Sequence, residues 1–168
     1  MLVAKGADMD KAADGGWTPL LIASYKGHTE VATMLVAKGA DKDKATTDGA
    51  TPLSVASHKG HTEIATMLVA KGADKDKAKN DGVTPLYVAS QNGHTEVATM
   101  LVAKGADMDK AKNDGFTPLW IASQNGHTEI ATMLVAKGAD KDMADNGGST
   151  PLYIASQNGH TEVATMLV

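Results

Sequence analysis

A single period governs the chain. The phrase Met-Leu-Val-Ala-Lys-Gly-Ala-Asp begins at residues 1, 34, 67, 100 and 133, and its first three letters close the sequence at 166–168. The five prolines, Pro19, Pro52, Pro85, Pro118 and Pro151, independently keep the same 33-residue interval. A fixed period of this size marks a stack of supersecondary units, and it displaces the expectation that a 168-residue chain is one ordinary globular domain.

Residues 80–112 serve as a sample unit. Thr84-Pro85 reads as a helix start, with a hydroxyl at the N-cap and a proline at the first helical position, where its missing N–H costs nothing. Leu86, Val88 and Ala89 give the first helix a short apolar face, and Gly93 ends it. A second helix follows over His94–Lys104. Glu96 in its first turn and Lys104 in its last suit the helix dipole. Val97, Met100, Leu101 and Val102 supply a buried stripe at helical spacing, and Gly105 stops the helix. The polar segment beyond it carries an Asp-Gly pair that suits a tight hairpin. Each unit is thus a turn, a helix, a short turn and an antiparallel helix. Helices of about three turns are marginal alone, so neighbouring units must stack to bury the face that one pair leaves open.

The stretch 114–140, Asp-Gly-Phe-Thr-Pro-Leu-Trp-Ile-Ala-Ser-Gln-Asn-Gly-His-Thr-Glu-Ile-Ala-Thr-Met-Leu-Val-Ala-Lys-Gly-Ala-Asp, resembles the ankyrin repeat. The Thr-Pro-Leu at 18–20, 51–53, 84–86, 117–119 and 150–152 corresponds to the family's Thr-Pro-Leu-His opening. The Gly-His pairs at 27–28, 60–61, 93–94, 126–127 and 159–160, each with Glu two residues later, match as well. The family histidine after Thr-Pro-Leu is replaced by Leu21, Ser54, Tyr87, Trp120 and Tyr153, and a usual alanine by Ser24 and its equivalents. The resemblance implies an all-α helix-turn-helix solenoid with hairpin loops. Its expected units are a remnant at 1–13, repeats at 14–46, 47–79, 80–112 and 113–145, and a truncated repeat at 146–168. It also implies protein binding through the hairpin tips and the concave face of the first helices, with no catalysis, in an intracellular, cytoplasmic setting.

Positions held constant in all five copies should be scaffold, and positions that vary are candidates for recognition. The constant set includes Thr18, Pro19, Leu20, Gly27, His28, Glu30 and Leu35 with their equivalents, and it contains no aromatic residue. All six aromatics stand where the copies differ. Trp and Tyr are enriched at binding hot spots. The candidate partner-binding residues are therefore Trp17, Tyr25, Val83, Tyr87, Phe116, Trp120, Gln124 and Tyr153. Tyr87, Trp120 and Tyr153 either present a contact surface or fill the space of a semi-buried histidine. Trp17 and Phe116, on the hairpins, should have little to cover them. The Gln-Asn pairs at 91–92, 124–125 and 157–158 read either as adaptable contacts beside that surface or as solvated turn residues.

Composition closes several other routes. A net charge of −4, with every basic residue a lysine, argues against nucleic acid or an anionic membrane as a partner. There is no cysteine for a disulfide or a thiolate zinc site. Asp74 and Asp76 fit the first positions of a calcium loop, but Ala78, Lys79 and Pro85 fail the later ones. The once-per-unit histidines sit on helices about 8–10 Å apart, too far to share one ion, and read instead as fold residues bonding loop backbone. Ser24 and His28 are separated by a helix-ending glycine, and no nucleophile elbow or phosphate loop is present. No cofactor or metal is expected. The alternating Lys and Asp of the loops read as a solvated face.

The chain opens and closes mid-phrase, as a window cut from a longer array would. Leu152, Ile154, Val163, Met166 and Leu167 of the last unit are expected to leave apolar surface open to head-to-tail association of copies. Lys/Met exchanges at 9, 42, 75, 108 and 141 are single-base changes, which favours a natural, recently duplicated array over a consensus-type design. The alternative to a recognition scaffold is a passive structural spacer with no partner of its own.

Overall fold

The computed structural model describes residues 6–168. The expected helical tail at residues 1–5 lies outside the described residues. Among these residues the chain forms a 3₁₀ turn at Asp14–Gly16 and ten α-helices in five antiparallel pairs, with no β-strand. The first helices of the pairs are α1 (Pro19–Lys26), α3 (Pro52–Lys59), α5 (Pro85–Asn92), α7 (Pro118–Gln124) and α9 (Pro151–Gln157). The second helices are α2 (Thr29–Ala37), α4 (Thr62–Ala70), α6 (Thr95–Ala103), α8 (Thr128–Ala136) and α10 (Thr161–Leu167). Like packs on like along the array. The first-helix row is more closely packed than the second-helix row.

The helix boundaries follow from local chemistry. Every first helix opens on a threonine whose Oγ1 accepts the N–H of the residue three places on, at 3.1–3.2 Å. Proline follows at once, pre-set for helical φ. Gly93 closes α5 at φ 72°, a left-handed conformation that a side chain resists. The second helix of that unit ends one residue earlier than expected. Lys104 caps it, its N–H reaching the Met100 and Leu101 carbonyls, and Gly105 then turns at φ 77°.

One apolar core runs the length of the array. Leu20, Leu53, Leu86 and Leu119 of the first helices meet Ile64, Val97, Ile130 and Val163 of the second, all fully buried. The stripe on α6 is Val97, Ala98 and Leu101; Met100 and Val102, expected within it, are only half-buried. At the last unit Ile154 is buried in a cluster with Tyr87, Trp120 and Ile121 of the preceding units, Val163 and Leu167 are buried in the continuous core, and Leu152 and Met166 are half-buried.

Polar side chains then stitch each unit to the one before it. His61, His94, His127 and His160 place Nε2 2.9–3.2 Å from the carbonyl oxygens of Tyr25, His58, Gln91 and Gln124. A carbonyl only accepts, so each Nε2 carries the proton. The histidines are fold residues as expected, and the backbone they bond belongs to the preceding first helix. Asn125 and Asn158 donate to the Gln91 and Gln124 carbonyls at 2.8 and 3.0 Å. These asparagines are therefore joints rather than plain turn residues.

The second-helix loops correct the sequence reading most. Asp43 Oδ1 accepts the Asp74 N–H at 3.0 Å, and Lys77 Nζ donates to the Asp43 carbonyl at 2.8 Å. The same pair of bonds joins Asp10 to Asp41 and Lys44, and Asp76 to Asp107 and Lys110. What reads as a solvated charge pattern is an ordered ladder. The hairpins add a third line, with Asn80, Asn113 and Asn146 donating to the preceding hairpin through backbone N–H and side-chain amide alike, at 3.1–3.2 Å. In these three lines the donor stands on the later unit and the acceptor on the earlier.

Met143 occupies the ladder position of Lys44, Lys77 and Lys110, and a thioether cannot donate to the Asp109 carbonyl. Met143→Lys is expected to raise stability by about 0.5–1.5 kcal/mol, and Lys77→Met to lower it comparably, in urea unfolding followed by circular dichroism. Glycine placement gives a second check. A Cβ on Gly93 would lie 2.8 Å from His127 Cε1, whereas one on Gly159, at the similar φ of 73°, meets nothing within 4 Å. Gly159→Ala should incur only the left-handed backbone cost of about 1–2 kcal/mol, and Gly93→Ala clearly more, in the same assay.

Candidate partner-binding face

The differences between copies map to one side of the stack. From the helix-joining histidine through the second helix to the loop beyond it, the units differ only by Val/Ile at 31, 64, 97, 130 and 163 and by Lys/Met in the loop. Every other difference falls on the hairpins or on the first helices. Three columns, four residues apart, line that side: 17, 50, 83, 116 and 149; 21, 54, 87, 120 and 153; 25, 58, 91, 124 and 157. The spacing of four puts the last two columns on one face of each first helix.

The structure separates the eight sequence candidates into packed and presented residues. Val83, Tyr87 and Trp120 are buried at 9, 3 and 4 % exposure, in a cluster with Val88, Ile121 and Ile154. Tyr87 and Trp120 thus fill the space of the missing family histidine. Trp120 Nε1 also donates to the Ser149 carbonyl of the next unit at 2.9 Å. Phe116 is half-buried, stacked on Trp120 with ring centroids 4.0 Å apart and planes at 21°. Trp17 is likewise half-buried over Leu21, Ala50 and Val55, so both hairpin aromatics are better covered than expected. Tyr25 and Tyr153 are presented, at 36 and 57 % exposure, and Gln124 is half-buried. Tyr25 meets Trp17 edge-on at 5.7 Å, with Lys59 Nζ 4.5 Å from its ring centre.

Between the second and third units the face opens into a cleft of about 270 Å³. Ala50, Ser54 and His58 wall one side, and Val83, Tyr87 and Gln91 the other. Ala50 and Ser54 are not among the eight sequence candidates, which are mostly large side chains. The available signal was the opposite one, small residues in columns that are otherwise mostly bulky. Lys79 and Lys112 also line the cleft; each is paired, with Asp48 at 2.8 Å and with Asp114 at 2.7 Å.

Electrostatics at the cleft follow from burial and these lysines. Partial burial, with Lys59, His94 and Lys79 nearby, holds His58 below the ordinary histidine value of 6.5. Burial, reinforced by Asp114 and Asp81, pushes the Tyr87 phenol up to about 12, so it stays neutral. Lys79, through its hydrogen bond, and then Thr46 hold the Asp48 carboxyl below 3.8. Among the described residues, no group of three or more His, Asp or Glu side chains is placed to hold a metal ion. Nor is any helix there long and apolar enough to cross a membrane.

A family model of ankyrin repeats matches three times, over residues 1–79, 39–112 and 104–168. The chain belongs to the ankyrin repeat family. Comparison with curated proteins finds no match. Repeats of this family generally mediate protein–protein interaction and are typically non-enzymatic scaffolds.

His58 supplies a measurable consequence. Its folded value is depressed, so its contribution to stability is present above 6.5 and is lost as pH falls through the lower folded value. In a nuclear magnetic resonance titration, the His58 ring is expected to protonate below 6.5. Removing nearby positive charge with Lys59→Gln and Lys79→Gln should move the midpoint up, the sign that identifies lysine repulsion.

Proposed function

We propose that this chain is a protein-recognition scaffold whose partner lies across the hairpins and first helices. One observation carries the proposal: the copies keep their second helices nearly letter for letter and differ along the hairpin and first-helix columns. A purely mechanical repeat has no reason to confine change to one side. The contact residues on this reading are the presented Tyr25 and Tyr153, the half-buried Trp17, Phe116 and Gln124, and the walls of the cleft. Val83, Tyr87 and Trp120 act beneath them, by fixing the shape of the face. The scaffold works without catalysis or a cofactor. A net charge of −4 and the absence of arginine favour protein over nucleic acid as the partner. A cytoplasmic setting belongs to the same proposal and rests on the family.

The test is affinity capture with the 168-residue chain, identification of the retained protein, and measurement of its affinity for two variants. The inner-face variant is Tyr25→Ala/Gln91→Ala/Tyr153→Ala. The outer-face control is Thr66→Ala/Thr99→Ala, on exposed second-helix positions. Loss of about tenfold or more in affinity for the first, with none for the second, is expected. No retained protein would return the chain to the spacer reading, and equal binding by both variants would overturn the assignment of the partner to this face.

A further inference from the structure

We infer that the cleft between the second and third units receives a tryptophan side chain from the partner protein, an assignment that rests on the recognition reading above. The repeats themselves show what occupies this position. In the fourth unit the two columns carry Phe116 and Trp120, stacked as a pair of rings. In the second unit the same columns carry Ala50 and Ser54. The backbone joints are alike: the hairpin N–H of Asn80, Asn113 and Asn146 reaches the preceding carbonyl at 3.1 Å each time. The cleft is therefore the outline of side chains that another copy supplies internally.

A hydrogen-bond acceptor stands in the matching place. Trp120 donates its indole N–H to the Ser149 carbonyl, which also accepts the Asp145 N–H at 3.0 Å. The carbonyl 29 residues beyond Ser54, as Ser149 is beyond Trp120, belongs to Val83, and it accepts the Lys79 N–H at 2.9 Å in the same manner. A carbonyl oxygen has two lone pairs. An indole seated over Ser54 thus meets the Val83 oxygen as Trp120 meets that of Ser149. Ser54 does not compete, because its own hydroxyl donates to the Thr51 carbonyl at 2.9 Å.

The remaining walls select the same chemistry. Val55, Tyr87 and Val88 give apolar surface, and Lys79 and Lys112, paired with Asp48 and Asp114, line the cleft beside them. In the next unit Lys112 Nζ already lies 5.7 Å from the Phe116 ring centre. Cations of this kind favour an aromatic face over an aliphatic chain, and indole most of all. At about 270 Å³ the cleft is small for an independent ligand but holds one large side chain. A tryptophan seated there leaves its flanking chain to run over the first helices on either side.

Random twelve-residue peptides displayed on phage would be panned against the 168-residue chain. Ser54→Leu, which copies the fully buried Leu21 of the first unit, blocks the cleft. Ala50→Phe/Ser54→Trp copies the fourth unit and blocks it independently. Selected peptides are expected to share one tryptophan. A synthetic selected peptide should lose about tenfold or more in affinity on tryptophan→Ala, and as much on either blocking variant. Selection without tryptophan, binding untouched by both blocking variants, or N-acetyltryptophanamide binding as tightly as the peptide would overturn the assignment. If the partner captured above binds Ser54→Leu as well as the parent chain, the recognition reading stands and the cleft assignment alone falls.

Discussion

Contact between successive units is the constraint on which everything else in this structure depends. Helices of seven to nine residues gain too little from their own hydrogen bonds to persist in water. A single pair leaves an apolar face for its neighbour to cover. The Leu20, Leu53, Leu86 and Leu119 row closes only because the next unit arrives in register. Register is a polar matter here. Hydrophobic contact would tolerate sliding by a fraction of a turn, whereas hydrogen bonds at the hairpin, the first-helix exit and the second-helix exit hold three separate points of every full joint. Three points fix a rigid body.

The period, the helix pairing and the caps were legible in the sequence because each depends on residues close together in the chain. Thr84 caps the N–H of Tyr87, and Gly93 ends the helix that Thr84 begins. The bonds across joints were less legible. Asp43 and Lys77 lie in different units, and nothing local to either says that one carbonyl accepts the other's ammonium group. Recurrence was the only clue. Aspartate at 10, 43, 76, 109 and 142 is kept as strictly as the core leucines, which a merely solvated residue would not need to be.

The candidate face shows the same division. Its location could be read from where the copies differ, but its relief could not. Tyr87 and Trp120 are large and variable, and burial turns them into supports. Ala50 and Ser54 are small and draw no notice, yet they wall the cleft on that side. Whether a side chain projects or props depends on the column beside it in the next unit. The Lys/Met exchanges have a related explanation: Met9 and Met108 pack against the core, and the Cε atoms of Lys42 and Lys75 lie close over Gly72 and Gly105. Both residue types lay an unbranched stem on the neighbouring unit, so one replaces the other with little effect on packing.

The three stitching lines run one way, with later units donating and earlier ones accepting. A ribosome delivers the chain in that same order. Units that carry the imidazole, amide and ammonium donors find the matching carbonyls on their predecessor, and the fourth lacks only the ammonium, at Met143. A few bonds run the other way, from Trp120 to the Ser149 carbonyl and from Thr62 and Thr128 to Glu96 and Glu162, and the apolar face of each unit still closes only when its successor arrives. Lengthening such a gene by one period adds a unit that docks by the same rules as the last.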